Sequence, residues 1–118
     1  MKKVIFYSYP KCSTCRKASK WLDQNNIKYQ FIDIVKEPPS KKYLELALNQ
    51  FSLDIKKIFN TRGKSFKLID FDILELTKEK IIELLSNDGK LIKRPFLIIN
   101  ESKLILGFNE SEYDANFK

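Results

Sequence analysis

The sequence predicts an α/β protein in which a βαβ unit, a helical segment and a C-terminal ββα unit share a four-stranded mixed sheet. The element order is the main evidence: strand-like and helix-like patterns alternate at the start, and two apolar runs separated by three polar residues lie near the end. The 118 residues, 43% hydrophobic and 31% charged, are typical of a globular chain. We expect one domain over residues 1–118, with the helical insertion at about 40–90.

The first third of the chain predicts the βαβ unit. Residues 4–7 form a short apolar run of β-branched and aromatic side chains, which favours a buried strand. Ala18, Trp21 and Leu22 recur at helical spacing and predict a helix from residue 13 or 14 to Gln24. Residues 29–34 predict a second strand. Because a helix of about 12 residues joins the two strands, we expect them to be parallel.

The middle of the chain predicts helices. Ser40 is a suitable N-cap for an amphipathic helix whose apolar positions recur over residues 44–51. A short helix is expected at 55–59, whereas residues 66–76 have no clean period. Thr77 is expected to cap another helix that residues 87–89 close.

The last section predicts a hairpin and a helix. Residues 95–99 and 103–106 are strand-like, and the polar residues 100–102 between them indicate an antiparallel hairpin. Asn109, followed three residues later by Glu112, matches a capping box and predicts a final short helix.

The charge distribution limits the classes of partner. Residues 1–68 carry a net charge of +10 and residues 69–118 a net charge of −3. A basic front half could attract a small anion or an acidic protein surface, or be a solvated lysine-rich face. Direct nucleic-acid binding is not expected, because no nucleic-acid-binding motif accompanies the charge. No apolar run approaches the roughly 18 residues of a membrane helix or the roughly 7 of a secretory core, so we expect a cytoplasmic protein.

Two cysteines, Cys12 and Cys15, carry the chemistry that the sequence suggests. The chain has no other cysteine and no histidine. One Cys-x-x-Cys supplies half the ligands of a zinc site, and Cys–His catalysis lacks its base. In a reducing compartment such a pair is more often functional than a structural staple. We favour a redox pair, with two inert thiols or a metal site shared between two chains as alternatives.

The position of the pair predicts different roles for the two thiols. Cys12 lies where the first helix begins, so free N–H groups and the helix dipole should stabilise its thiolate. The neighbouring Lys11, Arg16 and Lys17 add positive potential. Cys15, one turn further on, should be more buried and still reach the Cys12 sulfur. We predict that Cys12 is the nucleophile, that Cys15 is the resolving thiol, and that the two form a redox-active disulfide.

The arginines add a second indication. Among 22 basic residues only Arg16, Arg62 and Arg94 are arginine, the side chain suited to planar, bidentate anion recognition. Arg94 precedes Pro95, and a cis bond there would cost only about 0.5–1 kcal/mol. Such a turn would bring Arg94 towards the Cys12 loop, where its guanidinium could hold an anion. Arg62, in the break between two helices, is a second candidate for the same pocket.

The residues around the cysteines also carry a family resemblance. The string from Tyr9 to Ala18, followed by Trp21-Leu22, resembles the opening of the arsenate-reductase-like family, ArsC and its Spx relatives. The match continues in order through residues 37–40, 60–62, 91–95 and 107–110. The resemblance implies a thioredoxin-like fold with a helical insertion, a cis Pro95 and a reactive Cys12. We expect a substrate site formed by Ser13, Thr14, Arg62, Arg94 and Pro95, and we expect Arg94 to act in catalysis together with Cys12 and Cys15.

The two branches of the family imply two functions. Arsenate reductases of this family hold the oxyanion with three arginines. Arg62 and Arg94 match two of these, but residues 103–108, where the third falls, contain no arginine. Those enzymes also commonly lack a cysteine at the position of Cys15. The Spx branch has the Cys-x-x-Cys, and its members are redox-switched regulators that bind the C-terminal domain of the RNA polymerase α subunit.

Two hypotheses follow from these features. In the first, the protein is a monomeric thiol-disulfide oxidoreductase that reduces a protein disulfide or a small oxyanion. It would hold no cofactor and be recycled by an external thiol reductant such as glutathione, glutaredoxin or thioredoxin. In the second, the Cys12–Cys15 disulfide is the switch of a regulator that binds RNA polymerase.

Overall fold

The computed structural model describes residues 2–118 and contains four strands, five α-helices and three short 3₁₀ turns in that range. The strands are β1 (Val4–Ser8), β2 (Gln30–Asp33), β3 (Phe96–Ile99) and β4 (Lys103–Leu106). The α-helices are α1 (Ser13–Gln24), α2 (Lys41–Gln50), α3 (Lys64–Lys67), α4 (Lys78–Asn87) and α5 (Glu110–Phe117). The 3₁₀ turns cover Ile55–Ile58, Ile73–Glu75 and Gly89–Leu91.

The four strands form one mixed sheet in the order β2-β1-β3-β4. β1 and β2 are parallel, whereas β1 with β3 and β3 with β4 are antiparallel. The predicted four-stranded mixed sheet, the parallel βαβ unit and the C-terminal hairpin are therefore confirmed. The helices α2 to α4 occur between β2 and β3, in the segment where the insertion was expected.

The central strands separate two apolar cores because their side chains alternate between the faces of the sheet. Val4 and Phe6 of β1 pack in one core with α1 and α5, and the next residues, Ile5 and Tyr7, pack in the other core with α2 and α4. β3 is buried on both faces. This burial explains why the apolar runs of β1 and β3 are continuous rather than alternating. The result is a three-layer α/β/α arrangement.

Some element boundaries differ from the sequence prediction. β1 extends one residue further, through Ser8, and β2 is shorter than the predicted 29–34. The ambiguous residues 66–76 contain the end of α3 and the Ile73–Glu75 turn. Thr77 caps α4 by accepting a hydrogen bond from the Lys80 N–H (3.2 Å), whereas the Ser40 side chain makes no cap hydrogen bond. The side chain of Asn109 caps α5 as predicted. No helix among residues 2–118 is long and apolar enough to cross a membrane.

Gly89 is required by packing rather than by a left-handed turn. A Cβ atom at this position would lie 1.9 Å from the carbonyl oxygen of Ile34. Gly89 begins the turn after α4, and Ile34 follows β2 directly, so this contact joins the helical segment to the edge of the sheet. Among the glycines of the described residues, Gly107 rather than Gly89 has a positive φ (72°).

We expect Gly89→Ala to lower the free energy of unfolding by about 1–3 kcal/mol, the usual cost of overpacking. Urea unfolding followed by circular dichroism measures this change. Gly63→Ala is the matched control, because the new Cβ would meet the Asn60 side-chain amide, which can move, at 2.6 Å. An equal loss in both variants would contradict the packing role of Gly89.

Candidate functional site

The candidate site lies at the edge of the sheet where β1 and β2 end and β3 begins. Tyr7 pairs with Phe96 in the antiparallel ladder, and Ser8 pairs with Asp33 in the parallel one. The segment after β1, which leads to Cys12, must therefore lie beside the segment before β3. The Arg94–Pro95 peptide bond within that segment is cis, as expected. This register brings the predicted nucleophile and the predicted anion-binding arginine together.

Cys12 occupies the N-cap position of α1. Its backbone is extended (φ −90°, ψ 121°), its N–H donates to the Tyr9 carbonyl (2.9 Å), and its carbonyl accepts from the Arg16 N–H (3.1 Å). The first turn of α1 contains no acidic residue. The half-buried Cys12 thiol therefore lies at the positive end of a 12-residue helix with no carboxylate in that turn to offset the field.

The guanidinium of Arg94 provides the second source of positive charge. Its central carbon lies 4.9 Å from the centroid of the Tyr9 ring, and the aromatic face holds the cation in place. The charge of Arg94 and its capacity to donate a hydrogen bond both lower the pKa of the Cys12 thiol. Its Nη1 atom is buried without a hydrogen-bond partner among residues 2–118. An unpaired buried donor is costly, so this nitrogen is suited to an incoming anion.

The two thiols differ strongly in acidity. Burial raises the pKa of Cys12, but the Cys15 backbone N–H, the Cys15 thiol and Arg94 outweigh that effect and bring the pKa below the usual 9.0. Burial is the main cause that raises the pKa of Cys15 to about 11, and Cys12 contributes in the same direction. Hydrogen bonds from Ser8 and Tyr9 partly offset both effects. Of the two thiols, Cys12 is therefore the one that loses its proton at the lower pH.

Cys15 is almost completely buried, at 1% exposure, and lies against the end of β1. The Tyr9 N–H donates to its sulfur (3.4 Å), and the Ser8 side chain also stabilises the charged form. Neither Ser8 nor Tyr9 was predicted as a site residue. The sequence offered one signal, the polar Ser8 directly after the apolar run of residues 4–7. In the structure Ser8 is buried (3% exposed) where the strand meets the site.

The other predicted site residues differ in burial and in hydrogen bonding. Pro95 is buried next to Arg94, and Ser13 and Thr14 form the first turn of α1, without side-chain hydrogen bonds in the described part of the chain. Arg62 is exposed, and no hydrogen bond or ion pair joins it to any of residues 2–118. Its role in substrate binding stays a prediction.

The segment before Arg62 explains its position. Phe59 forms an antiparallel bridge with Ile92, the Lys93 N–H donates to the Ile58 carbonyl (2.8 Å), and the Asn60 N–H donates to the Leu91 carbonyl (2.7 Å). Because the pairing is antiparallel, the chain beyond residue 60 continues away from Arg94.

A groove of about 470 Å³ lies beside the buried resolving thiol. It is lined by one side of α1 and by the ends of β1 and β2, including Cys15, Tyr9, Arg16 and the half-exposed Phe31. Arg16 donates to the Pro10 carbonyl (3.0 Å), which holds its cation at the rim. Among residues 2–118, no three His, Cys, Asp or Glu side chains cluster so as to hold a metal ion.

Comparison with known proteins places this site in a family context. The uncharacterized protein YusI of Bacillus subtilis is 40% identical over 116 residues, which is 97% of this chain and 98% of YusI. The regulatory protein MgsR of B. subtilis is 36% identical over 92% of this chain and 86% of its own length. The global transcriptional regulator Spx of Lactiplantibacillus plantarum is 32% identical over 92% of this chain and 82% of its own length.

The solved structures agree with these relatives. A protein of Streptococcus mutans UA159, described as a possible arsenate reductase, superposes with a TM-score of 0.89 at 37% identity and covers 99% of this chain and 100% of its own. The thioredoxin-like α/β fold that the resemblance implied is therefore confirmed. Residues 7–116 match the ArsC family, an interval that contains both cysteines, Arg94 and the cis Pro95. The chain belongs to the ArsC family.

Proposed function

We propose that the protein is a thiol-disulfide oxidoreductase in which Cys12 is the nucleophile and Cys15 the resolving thiol. The observation that carries the proposal is the contrast between the two adjacent thiols. One is half-buried at a helix N-terminus beside Arg94 with a lowered pKa, and the other is buried with a pKa raised to about 11. Thiol-disulfide exchange needs this difference. The attacking thiol must be charged and accessible, whereas the resolving thiol must stay protonated until a mixed disulfide has formed.

The first step is attack of the Cys12 thiolate on a sulfur of an oxidised substrate. For a disulfide, a bond forms between Cys12 and one substrate sulfur, the substrate S–S bond breaks, and the other sulfur leaves as a thiolate that takes up a proton. For a small oxyanion, the unpaired Nη1 of Arg94 is the group that would hold a substrate oxygen beside Cys12.

In the second step Cys15 loses its proton and attacks the Cys12 sulfur. The Cys12–Cys15 bond forms, the mixed disulfide breaks, and the second substrate sulfur leaves as a thiol after protonation. The dithiol has then supplied two electrons, and an external thiol must reduce the new disulfide. The Tyr9 N–H and the Ser8 side chain stabilise the Cys15 thiolate at the moment of attack.

Trapping with glutathione disulfide tests this assignment. We expect Cys15→Ser to accumulate one glutathione on Cys12, because the resolving thiol is absent. Wild-type protein should end as an internal disulfide with two glutathione molecules released. Intact-protein mass spectrometry without reductant measures both products, and Cys12→Ser is the control. Modification of Cys15 in Cys12→Ser at the rate found for Cys12 would contradict the assigned roles.

A second candidate function is a redox-responsive regulator. The similarity to Spx and MgsR favours it, because both are described as regulatory proteins and both match 92% of this chain. In this case the same Cys12–Cys15 disulfide would change the conformation of the loop before α1. As the Spx resemblance implies, the partner would be the C-terminal domain of the RNA polymerase α subunit.

Calorimetric titration with that polymerase domain tests the regulatory function. We expect the reduced and oxidised forms to differ in affinity by about 5–150-fold, the usual range for coupled sites. The double variant Cys12→Ser/Cys15→Ser should bind equally with or without oxidant. Equal affinities of the two wild-type forms would remove this candidate.

A further inference from the structure

We propose that a groove in the helical segment, separate from the cysteines, docks a cationic amphipathic helix of a partner protein. The groove has a volume of about 450 Å³ and lies between α4 and the chain that follows α3. We call it the α4 groove. Neither Cys12 nor Cys15 lines it, so the inference is independent of the thiol chemistry.

The α4 groove follows the length of one helix face. Its α4 wall is formed by residues at positions i, i+3, i+4 and i+7, namely Lys80, Glu83, Leu84 and Asn87. The opposite wall and floor are mainly apolar and consist of Leu68, Ile69, Phe71, Leu76 and Leu91. The α4 wall runs from Lys80 to Asn87, eight residues or about 12 Å, which is enough for roughly two turns of a second helix.

Large apolar side chains are exposed along this groove. Leu68 is 83% exposed and Phe71 is 48% exposed, although both lie in the wall. Scattered single apolar residues are ordinary on a surface, but two beside a formed groove with apolar walls are typical of an interaction site. Leu74, in the following turn, is also exposed (59%) but does not line the groove.

The charge around the α4 groove determines the kind of partner. Residues 65–91, the span that lines the groove, contain six Asp or Glu and four Lys, a net charge of −2, while the rest of the chain carries a net charge of +9. Asp70, Glu83 and Asp88 lie at the groove, and the one lysine there, Lys80, is paired with Glu83 (3.8 Å). This acidic, apolar patch on a basic protein is complementary to a partner with apolar and cationic side chains.

A helix fits better than the other occupants. No strand of the sheet borders the groove, so a peptide has no edge on which to add as a strand. An anionic lipid surface would be repelled by the acidic rim. A second copy of this chain could bring its own basic surface, but such a contact joins two different faces and would extend into a chain of molecules rather than close as a dimer.

Binding of designed peptides tests the inference. The probe is a fluorescent peptide of about 14 leucine and lysine residues with leucines at helical spacing, titrated with reduced full-length protein. The comparison peptides are a glutamate-for-lysine version and a shuffled version without helical spacing. We expect the first peptide to bind at least about tenfold more tightly than either comparison peptide, with affinity falling as salt rises.

Variants of exposed residues show where the peptide binds. Leu68→Ser and Phe71→Ser should each weaken binding by about tenfold or more, since apolar anchors dominate such interfaces. Asp70→Lys should weaken it and reduce its salt dependence. Leu74→Ser and the distant Leu53→Ser, whose side chains are 59% and 102% exposed, are matched controls and should bind as wild type.

Three results would overturn the inference. One is equal binding of the lysine and glutamate peptides, and another is unchanged binding by Phe71→Ser. The third is self-association of wild-type protein in sedimentation that Leu68→Ser abolishes, because the groove would then be occupied by a second copy.

Discussion

The antiparallel pairing of β1 with β3 is the constraint on which the candidate site depends. Because Tyr7 is opposite Phe96, the residues that follow β1 and those that precede β3 must emerge side by side. The first group leads to Cys12 and the second contains Arg94 and Pro95. Both strands are buried on both faces, so a shift of register would move a complete set of apolar side chains to the wrong core. The apolar cores thus hold the thiol and the guanidinium together.

The same arrangement makes the two thiols respond to each other. Burial is the main cause of the raised pKa of Cys15, and the charge on Cys12 adds to it. When Cys12 is bonded to a substrate sulfur it no longer carries this charge, so the pKa of Cys15 falls. The resolving thiol therefore becomes more acidic when it is needed, a benefit of coupled titration at one site. Under the regulatory alternative, the same coupling would favour closure of the disulfide once Cys12 is oxidised.

Local patterns in the sequence predicted most of the fold and the position of Cys12 at the start of the first helix. The first helix, the hairpin and the position of Cys12 were readable because each depends on neighbours within a few residues. The contact of Gly89 with Ile34 and the stacking of Arg94 on Tyr9 were not, since each joins segments far apart in sequence. Residues 66–76 gave no period because Phe71 and other apolar residues there are exposed.

The exposed arginine shows a second limit of sequence reasoning. Arg62 and Arg94 are two of the three arginines in a lysine-rich chain, and both match arginine positions in the family resemblance. Arg94 lowers the pKa of Cys12, whereas the bridge between Phe59 and Ile92 directs the chain with Arg62 away from Arg94. Residue type and spacing pointed to both arginines, whereas their relation to the thiols depends on the course of the backbone, and the role of Arg62 in substrate binding stays a prediction.

The pH dependence of alkylation at each cysteine tests the central claim most directly. Reduced protein is treated with iodoacetamide over a range of pH, and peptide mass spectrometry gives the rate at Cys12 and Cys15 separately. We predict a pKa below 9.0 at Cys12 and about 11 at Cys15. Arg94→Gln should raise the pKa of Cys12, so that its alkylation at neutral pH slows, whereas Arg62→Gln should leave it unchanged. Equal pKa values at the two cysteines, or equal effects of the two arginine variants, would contradict the account.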